Sequence, residues 1–202
     1  MLKSIYSLYQ KIFFRLFITV SKTLTNLYFY LNHVEHGKFT SLGVPILNVD
    51  SQGKCQFGAD VVMVNTAKFS MLGKANRCKF VVMKNGKLQI GKKVAMSNAT
   101  IIASLSVQIG NNIMIGGGTT IVDTDFHSFN PDHWHTSNDA LNMKSEPVII
   151  NDNVFIGMDS VILKGVTIGS NVIIAARSVI TKDIPPYQIW GGNPAKFIRN
   201  ND

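Results

Sequence analysis

The chain has 202 residues, 46% of them apolar and only 16% charged, with a formal net charge of +8. That is enough for one well-cored domain and an appendage, and too little for two full domains. A basic excess suits polyanions in general, but the Lys and Arg residues are scattered and spell no nucleic-acid module, so nucleic-acid binding is not expected.

Residues 1–31 contain no Gly and no Pro and are rich in Ile, Leu, Phe and Tyr. Lys3, Lys11, Arg15 and Lys22 interrupt every apolar run, so no stretch reaches the roughly 18–20 residues of a spanning helix. No small-x-small cleavage site follows an unbroken apolar core, so a signal peptide is not expected either. At helical spacing Ser4, Ser7, Lys11, Arg15, Lys22, Thr25 and Asn26 form a polar stripe. Ile5, Leu8, Ile12, Leu16, Val20, Leu24, Leu27 and Leu31 fall opposite. This predicts an amphipathic helix or helix pair within an N-terminal region 1–48. It either packs on its own domain or trimer or lies in a membrane interface, and the two are compatible.

The two cysteines, Cys55 and Cys78, form no CxxC pair or metal-type cluster and read as buried thiols. Phe57-Gly58 with Val61, and Leu72-Gly73 with Asn76, read as degenerate early turns of a repeat. The repeat becomes clearer at Ile90, Met96 and Ile102, six residues apart, with Thr100 and Ser106 at a second position. After a one-residue insertion it resumes at Ile109, Ile115 and Ile121. From Ile150 it is unbroken through Ile156, Ile162, Ile168, Ile174 and Ile180. Val154, Ser160, Val166, Val172, Ser178 and Ile184 follow four positions after each. A period of six fits neither the 3.6 of a helix nor the 2 of a lone strand. It fits a coil of short strands joined by tight turns, in which each aliphatic residue stacks on its counterpart in the next coil. The predicted class is an all-β solenoid, a parallel β-helix over 49–184.

One stretch breaks the period: residues 126–146, FHSFNPDHWHTSNDALNMKSE. A long polar loop held at both ends by regular coils is a place where function concentrates. Pro185-Pro186 end the repeat, and 185–202 form a short basic closing segment with a turn at Gly191-Gly192-Asn193-Pro194.

The isoleucine-led hexapeptides, the DTDFH at the start of the loop, and the ending VTIGSNVIIAARSVITKDIPPYQIWGGNPAKFIR resemble the hexapeptide-repeat acyltransferases. The nearest branch is the maltose/galactoside O-acetyltransferases and their relatives that acetylate bacterial surface polysaccharides. The resemblance covers about Ile90 to Arg199. It implies a left-handed β-helix, a homotrimer, acetyl-CoA as co-substrate, and active sites shared between neighbouring subunits. By position it implies His127 as the family histidine. It also implies Met143, Gly157, Met158, Ala175, Ala176, Thr181, Lys182 and Arg199 as residues contacting the cofactor. Members with sugar acceptors often carry an acidic or amide residue near the positions of Met96 and Ser104. Here Asn98 is the candidate for that role.

Acetyl transfer to a hydroxyl requires removal of the alcohol proton, stabilisation of an oxyanion and close placement of both substrates. A histidine titrates near neutrality, which suits His127 as general base. Asp123, Asp125 and Glu146 are candidates to orient it, and a backbone N–H around Gly157-Met158 is the candidate oxyanion donor. His133 and His135 are further candidates for acceptor contact. No cysteine lies in the loop or the matched motif, which speaks against a thiol nucleophile. No metal is expected, because all three loop histidines sit in one segment and none lies on the repeat faces.

The expected function is therefore acetyl-CoA-dependent O-acetylation of a saccharide, of a surface-polysaccharide or lipid-linked kind. The expected location is cytoplasmic, peripheral to the inner face of the cytoplasmic membrane. The alternatives are N-acetylation of an amino-sugar nucleotide or xenobiotic on the same fold, and a non-catalytic β-helical scaffold.

Overall fold

The computed structural model describes residues 2–73 and 76–201. Met1 and Asp202, the outer limits of the expected first and last segments, lie outside the described residues. Helix α1 spans Leu2–Leu31 as one continuous element. A coil of three short strands follows at once: β1 (Glu35–His36), β2 (Phe39–Leu42) and β3 (Ile46–Val49). The second coil is β4 (Lys54–Phe57), β5 (Val61–Val64) and β6 (Lys79–Val82). The third is β7 (Lys87–Ile90), β8 (Val94–Ser97) and β9 (Thr100–Ala103). The fourth is β10 (Ser106–Ile109), β11 (Ile113–Ile115) and β12 (Thr120–Val122). The fifth is β13 (Val148–Ile150), β14 (Phe155–Ile156) and β15 (Val161–Ile162). The sixth is β16 (Thr167–Ile168), β17 (Ile173–Ile174) and β18 (Val179–Ile180).

The first strands of successive coils pair in parallel to form one face of a triangular prism, and the second and third strands form the other two faces. The fold is a left-handed parallel β-helix. It begins at Glu35, a full coil earlier than the boundary at residue 49 read from the sequence. The first coil lacks the isoleucine spacing, and its inward positions are Phe39 and Ser41, both buried.

The register explains the period. Ile150 pairs with Ile168, Ile156 with Ile174 and Ile162 with Ile180. Three hexapeptides make one coil, so each isoleucine sits on the one a coil below. Burying a side chain of this size is worth about 1.5–3 kcal/mol, and the column repeats it at every level. Upstream the spacing is looser because the strands are four residues long. Ile101, not Ile102, is the core residue there: it is buried, pairs with Ile121, and leaves Ile102 facing outward. The corners are tight. A methyl group on Gly157 would stand 2.4 Å from the Ala176 nitrogen, so a side chain there would push the fifth and sixth coils apart. Asn112, Asn153 and Asn171 take the left-handed backbone conformation that the bends require, a conformation Asn tolerates better than most residues.

Among the described residues between β5 and β6, those at 66–73 leave the coil. Leu72-Gly73, expected with Asn76 as an early turn, lie in this excursion. It packs on α1, with Phe69 5.2 Å from the Phe14 ring and 5.1 Å from Phe17. At the far end Ile184 bridges to Ile168. Strand β19 (Gln188–Gly192) then joins the second face beside β17, and β20 (Ala195–Asn200) returns antiparallel to it. The turn between them falls at the expected Asn193-Pro194.

Helix α1 reverses the expected packing. Ser21, Thr25 and Phe29 face the coil and are buried. The predicted apolar face, Ile5 through Leu31, points away from the protein and is exposed. Small polar residues suit the contact because the helix seats on a corner backbone: Ser21 Oγ accepts from Gly43 N–H at 3.1 Å. Phe29 alone enters the end of the core, 5.1 Å from the rings of His36, Phe39 and Phe57.

Candidate active site

The segment between β12 and β13 is an ordered projection on a short two-stranded stem. Thr124 and Ser145 form an antiparallel bridge. Asp125 N–H donates to Lys144 O at 3.0 Å and Glu146 N–H to Asp123 O at 2.9 Å. Asn130 caps a single 3-10 turn, Pro131–His133, and Thr136 caps the short helix α2, Ser137–Leu141. Trp134 Nε1 donates to Ser128 O at 2.7 Å, and Ser128 Oγ bonds His133 Nδ1 at 2.8 Å. His133 is therefore an internal brace of the loop rather than an acceptor contact.

His127 stands at the start of this projection with its side chain 72% exposed. Its Nδ1 lies 2.7 Å from Asp139 Oδ2. The other Asp139 oxygen accepts from Ser128 N–H at 2.7 Å. These two bonds hold the Asp139 carboxyl below the ordinary carboxylate range, the His127 contact contributing most. A carboxylate can only accept, so Nδ1 carries a proton, and in the neutral imidazole Nε2 then holds the lone pair. His127, Trp134, His135 and Asp139 line a cleft of about 300 Å³.

None of the three carboxylates proposed from the sequence touches His127. Asp123 is fully buried and accepts from the N–H groups of Ser104, Leu105 and Ser106, each at 2.7 Å. It ties the loop stem to the preceding turn. Asp123→Ala is expected to destabilise the protein by about 3 kcal/mol, because three donors lose a charged acceptor; chemical denaturation measures it. Asp125 and Glu146 both face Lys164, at 3.3 and 3.7 Å, and clip the stem to the fifth coil. Asn98 is also displaced from its expected role. It is buried at a corner, and its side-chain amide donates to Asn76 O, so it presents nothing to an acceptor.

Asp139 is the residue that sequence reasoning missed. Its signal was present in Thr136-Ser137-Asn138-Asp139, where a Thr cap precedes an acid by three residues and marks a helix start. That first turn carries Asp139 back against His127. Because its value is depressed, its contribution to loop order is complete above the ordinary carboxylate range. It is lost only as pH falls through the lowered value. Across pH 5–8 the His127–Asp139 contact is expected to persist, which a histidine NMR titration of Asp139→Asn against the parent checks.

The residues expected to contact a cofactor fall into three groups. Gly157, Met158, Ala175 and Ala176 stack at the corner between the second and third faces. Thr181 and Lys182, both exposed, lie at the corner between the third and first faces, the same edge from which the His127 loop departs. Met143 is half-buried within that loop. Arg199 lies on β20, opposite Ile189. The Gly157 N–H is already donated to Ile174 O at 2.8 Å, so it is not free to hold an oxyanion. Met158 is the member of that pair that remains a candidate. Strands in the third face are parallel, so the two corner groups lie on opposite edges of one sheet. Cys55 and Cys78 are buried, and burial pushes both thiols up to about 12, which leaves neither as a ready nucleophile.

The prism of hexapeptide coils, with an ordered histidine-bearing projection between its fourth and fifth coils, is a left-handed parallel β-helix. Residues 147–182 match the family described as bacterial transferase hexapeptide (six repeats). The galactoside O-acetyltransferase of Escherichia coli (strain K12) is 40% identical over 113 residues, covering 55% of this chain and 53% of that protein. A hexapeptide-repeat acetyltransferase from Vibrio cholerae O1 biovar eltor, solved in complex with acetyl coenzyme A, is 31% identical with a TM-score of 0.52. That match covers 57% of this chain and 61% of the other. AntD, an N-acyltransferase from Bacillus cereus, aligns over 88% of this chain and 87% of its own with a TM-score of 0.67. At 16% identity this likeness speaks to the fold alone. The chain is thus similar to hexapeptide-repeat acetyltransferases, the galactoside O-acetyltransferases among them. It spans about half the length of the curated relatives it matches.

Proposed function

We propose that this protein transfers an acetyl group from acetyl-CoA to a hydroxyl of a saccharide, with His127 as general base. The observation that carries this reading is the 2.7 Å contact from His127 Nδ1 to Asp139, which leaves a lone pair on an exposed Nε2. In the reaction Nε2 takes the proton of the acceptor hydroxyl while its oxygen attacks the thioester carbonyl. The tetrahedral adduct collapses, the C–S bond breaks, and the imidazolium returns the proton to the departing thiolate. Asp139 stays ionised and balances the imidazolium charge; it is a positioning residue.

The acting unit is a homotrimer. Loop and stacked small-residue corner lie on opposite edges of the third face, so a single chain offers each edge to a different neighbour. Packing copies edge to edge sets the His127 loop and Lys182 of one against Gly157–Ala176 of the next. The small side chains there would let a long thioester arm lie along the backbone, and Lys182 and Arg199 would suit its phosphates. Sedimentation is expected to give three times the chain mass of 22.3 kDa.

The deciding experiment is thiol release from acetyl-CoA against a panel of saccharides, amino sugars and surface glycans. Release with hydroxyl acceptors is expected. Release confined to amines would make it an N-acetyltransferase, and failure to bind acetyl-CoA in calorimetry would leave a scaffold. Asp139→Asn is expected to lower kcat about 10–100-fold, since the imidazole loses its fixed tautomer. The Kd for acetyl-CoA should not move, which separates positioning from a general loss of structure.

A further inference from the structure

Solenoids end in caps, and a cap must present a polar outer face to stay soluble. Here α1 is the cap at the first coil. Among the strands it packs on β2, and Phe29 plugs the core end, so the helix lies across the prism rather than along it. Its outer face is not polar. Ile5, Ile12, Leu16, Val20, Leu27 and Leu31 lie on that side and are 49–64% exposed. Together they form a continuous apolar strip nearly as long as the 30-residue helix. Such a strip calls for a partner.

Charge decides which. Residues 1–34 contain Lys3, Lys11, Arg15 and Lys22 and no Asp or Glu. All four cations are exposed and lie on the polar side of the helix, opposite the apolar strip. A second copy laid strip to strip would set two such helices, each with four cations and no acid, side by side. An anionic lipid surface would attract this basic, acid-free helix while taking the apolar strip into its acyl boundary. Tyr6, Tyr9 and Tyr30, also exposed, have the amphipathic rings that sit at such a boundary. No described helix is long and apolar enough to cross a membrane, so the contact is one of lying on the surface.

We propose that α1 seats the protein flat on an anionic membrane through this face, at the end of the solenoid away from β19 and β20. The inference stands apart from the catalytic reading and is tested without activity. The full chain is floated with vesicles of phosphatidylcholine alone and with 30% phosphatidylglycerol. Strong binding only to the anionic vesicles, weakened at least tenfold by 0.5 M salt, is expected. Leu16→Ser with Val20→Ser should reduce it at least tenfold, as should Lys11→Glu with Arg15→Glu. Both pairs are exposed, so thermal unfolding should be unchanged and acetyl-CoA binding equal to that of the parent. A protein that stays in solution with both vesicle types overturns the proposal. So does a serine variant that binds vesicles as the parent does, or one whose only change is to abolish a concentration-dependent doubling of mass, which would make a second copy the occupant.

Discussion

His127→Ala is expected to lower the rate of acetyl transfer by about two to four orders of magnitude, the usual contribution of a general base. Three features make this a sharp expectation. Among the described residues the imidazole is tethered through Nδ1 alone, so its loss removes the base without disturbing the coil. Ser128, Asn130 and Trp134 hold the loop through bonds that do not involve His127. No thiol is available to substitute, because both cysteines are buried inside the prism. Acetyl-CoA affinity by calorimetry should remain within about twofold, since the residues proposed to hold the cofactor, Gly157 to Ala176, Lys182 and Arg199, lie elsewhere. A variant with the parent rate would remove His127 from the mechanism and leave the fold unaffected.

The second large effect concerns stability. Ile156 is fully buried and sits between Ile115 below and Ile174 above. Ile156→Ala is expected to cost about 2–5 kcal/mol, the transfer loss plus the cavity left in a column that cannot collapse sideways. The neighbouring Phe155, on the same strand but facing outward and 44% exposed, is the internal control. Its replacement by alanine should cost under half as much in the isolated chain. Denaturation at several fixed protein concentrations is required, because assembly adds to apparent stability.

The part of the fold written most plainly was the fifth and sixth coils. There every strand is two or three residues long, and the hexapeptide repeats without insertion. The earlier coils were harder for a specific reason. Four-residue strands expose two inward positions each, so Ile101 and Ala103 share the role that one isoleucine plays later. The first coil is led by aromatic side chains that meet Phe29, a helix residue, and no period within the strands announces that contact. The helix misled because hydrophobic spacing predicts which face wants burial, not which face is buried. In α1 the surface actually covered is the one with Ser21 and Thr25. Within the site, His127 was legible from the loop and its resemblance. Its partner was not, because Asp139 reaches it only through the fold of α2. Of the two carboxylates in the DTDFH run, Asp123 is occupied by three backbone donors and Asp125 is turned to Lys164.

The stacking of coils sets distances. Hydrogen-bonded strands lie about 4.8 Å apart, so the fourth coil, which launches the His127 loop, stands about 15 Å above the first. Helix α1 adds roughly another 10 Å beneath. Were α1 to lie on a bilayer as proposed, the coil that launches the His127 loop would stand about 25 Å above the lipid. The hydroxyl His127 serves would then belong to a sugar several units out along a chain, not to one beside its lipid anchor. In this arrangement the count of coils would act as a ruler for how far out a sugar is reached, and adding or removing one coil would move that height by one strand spacing.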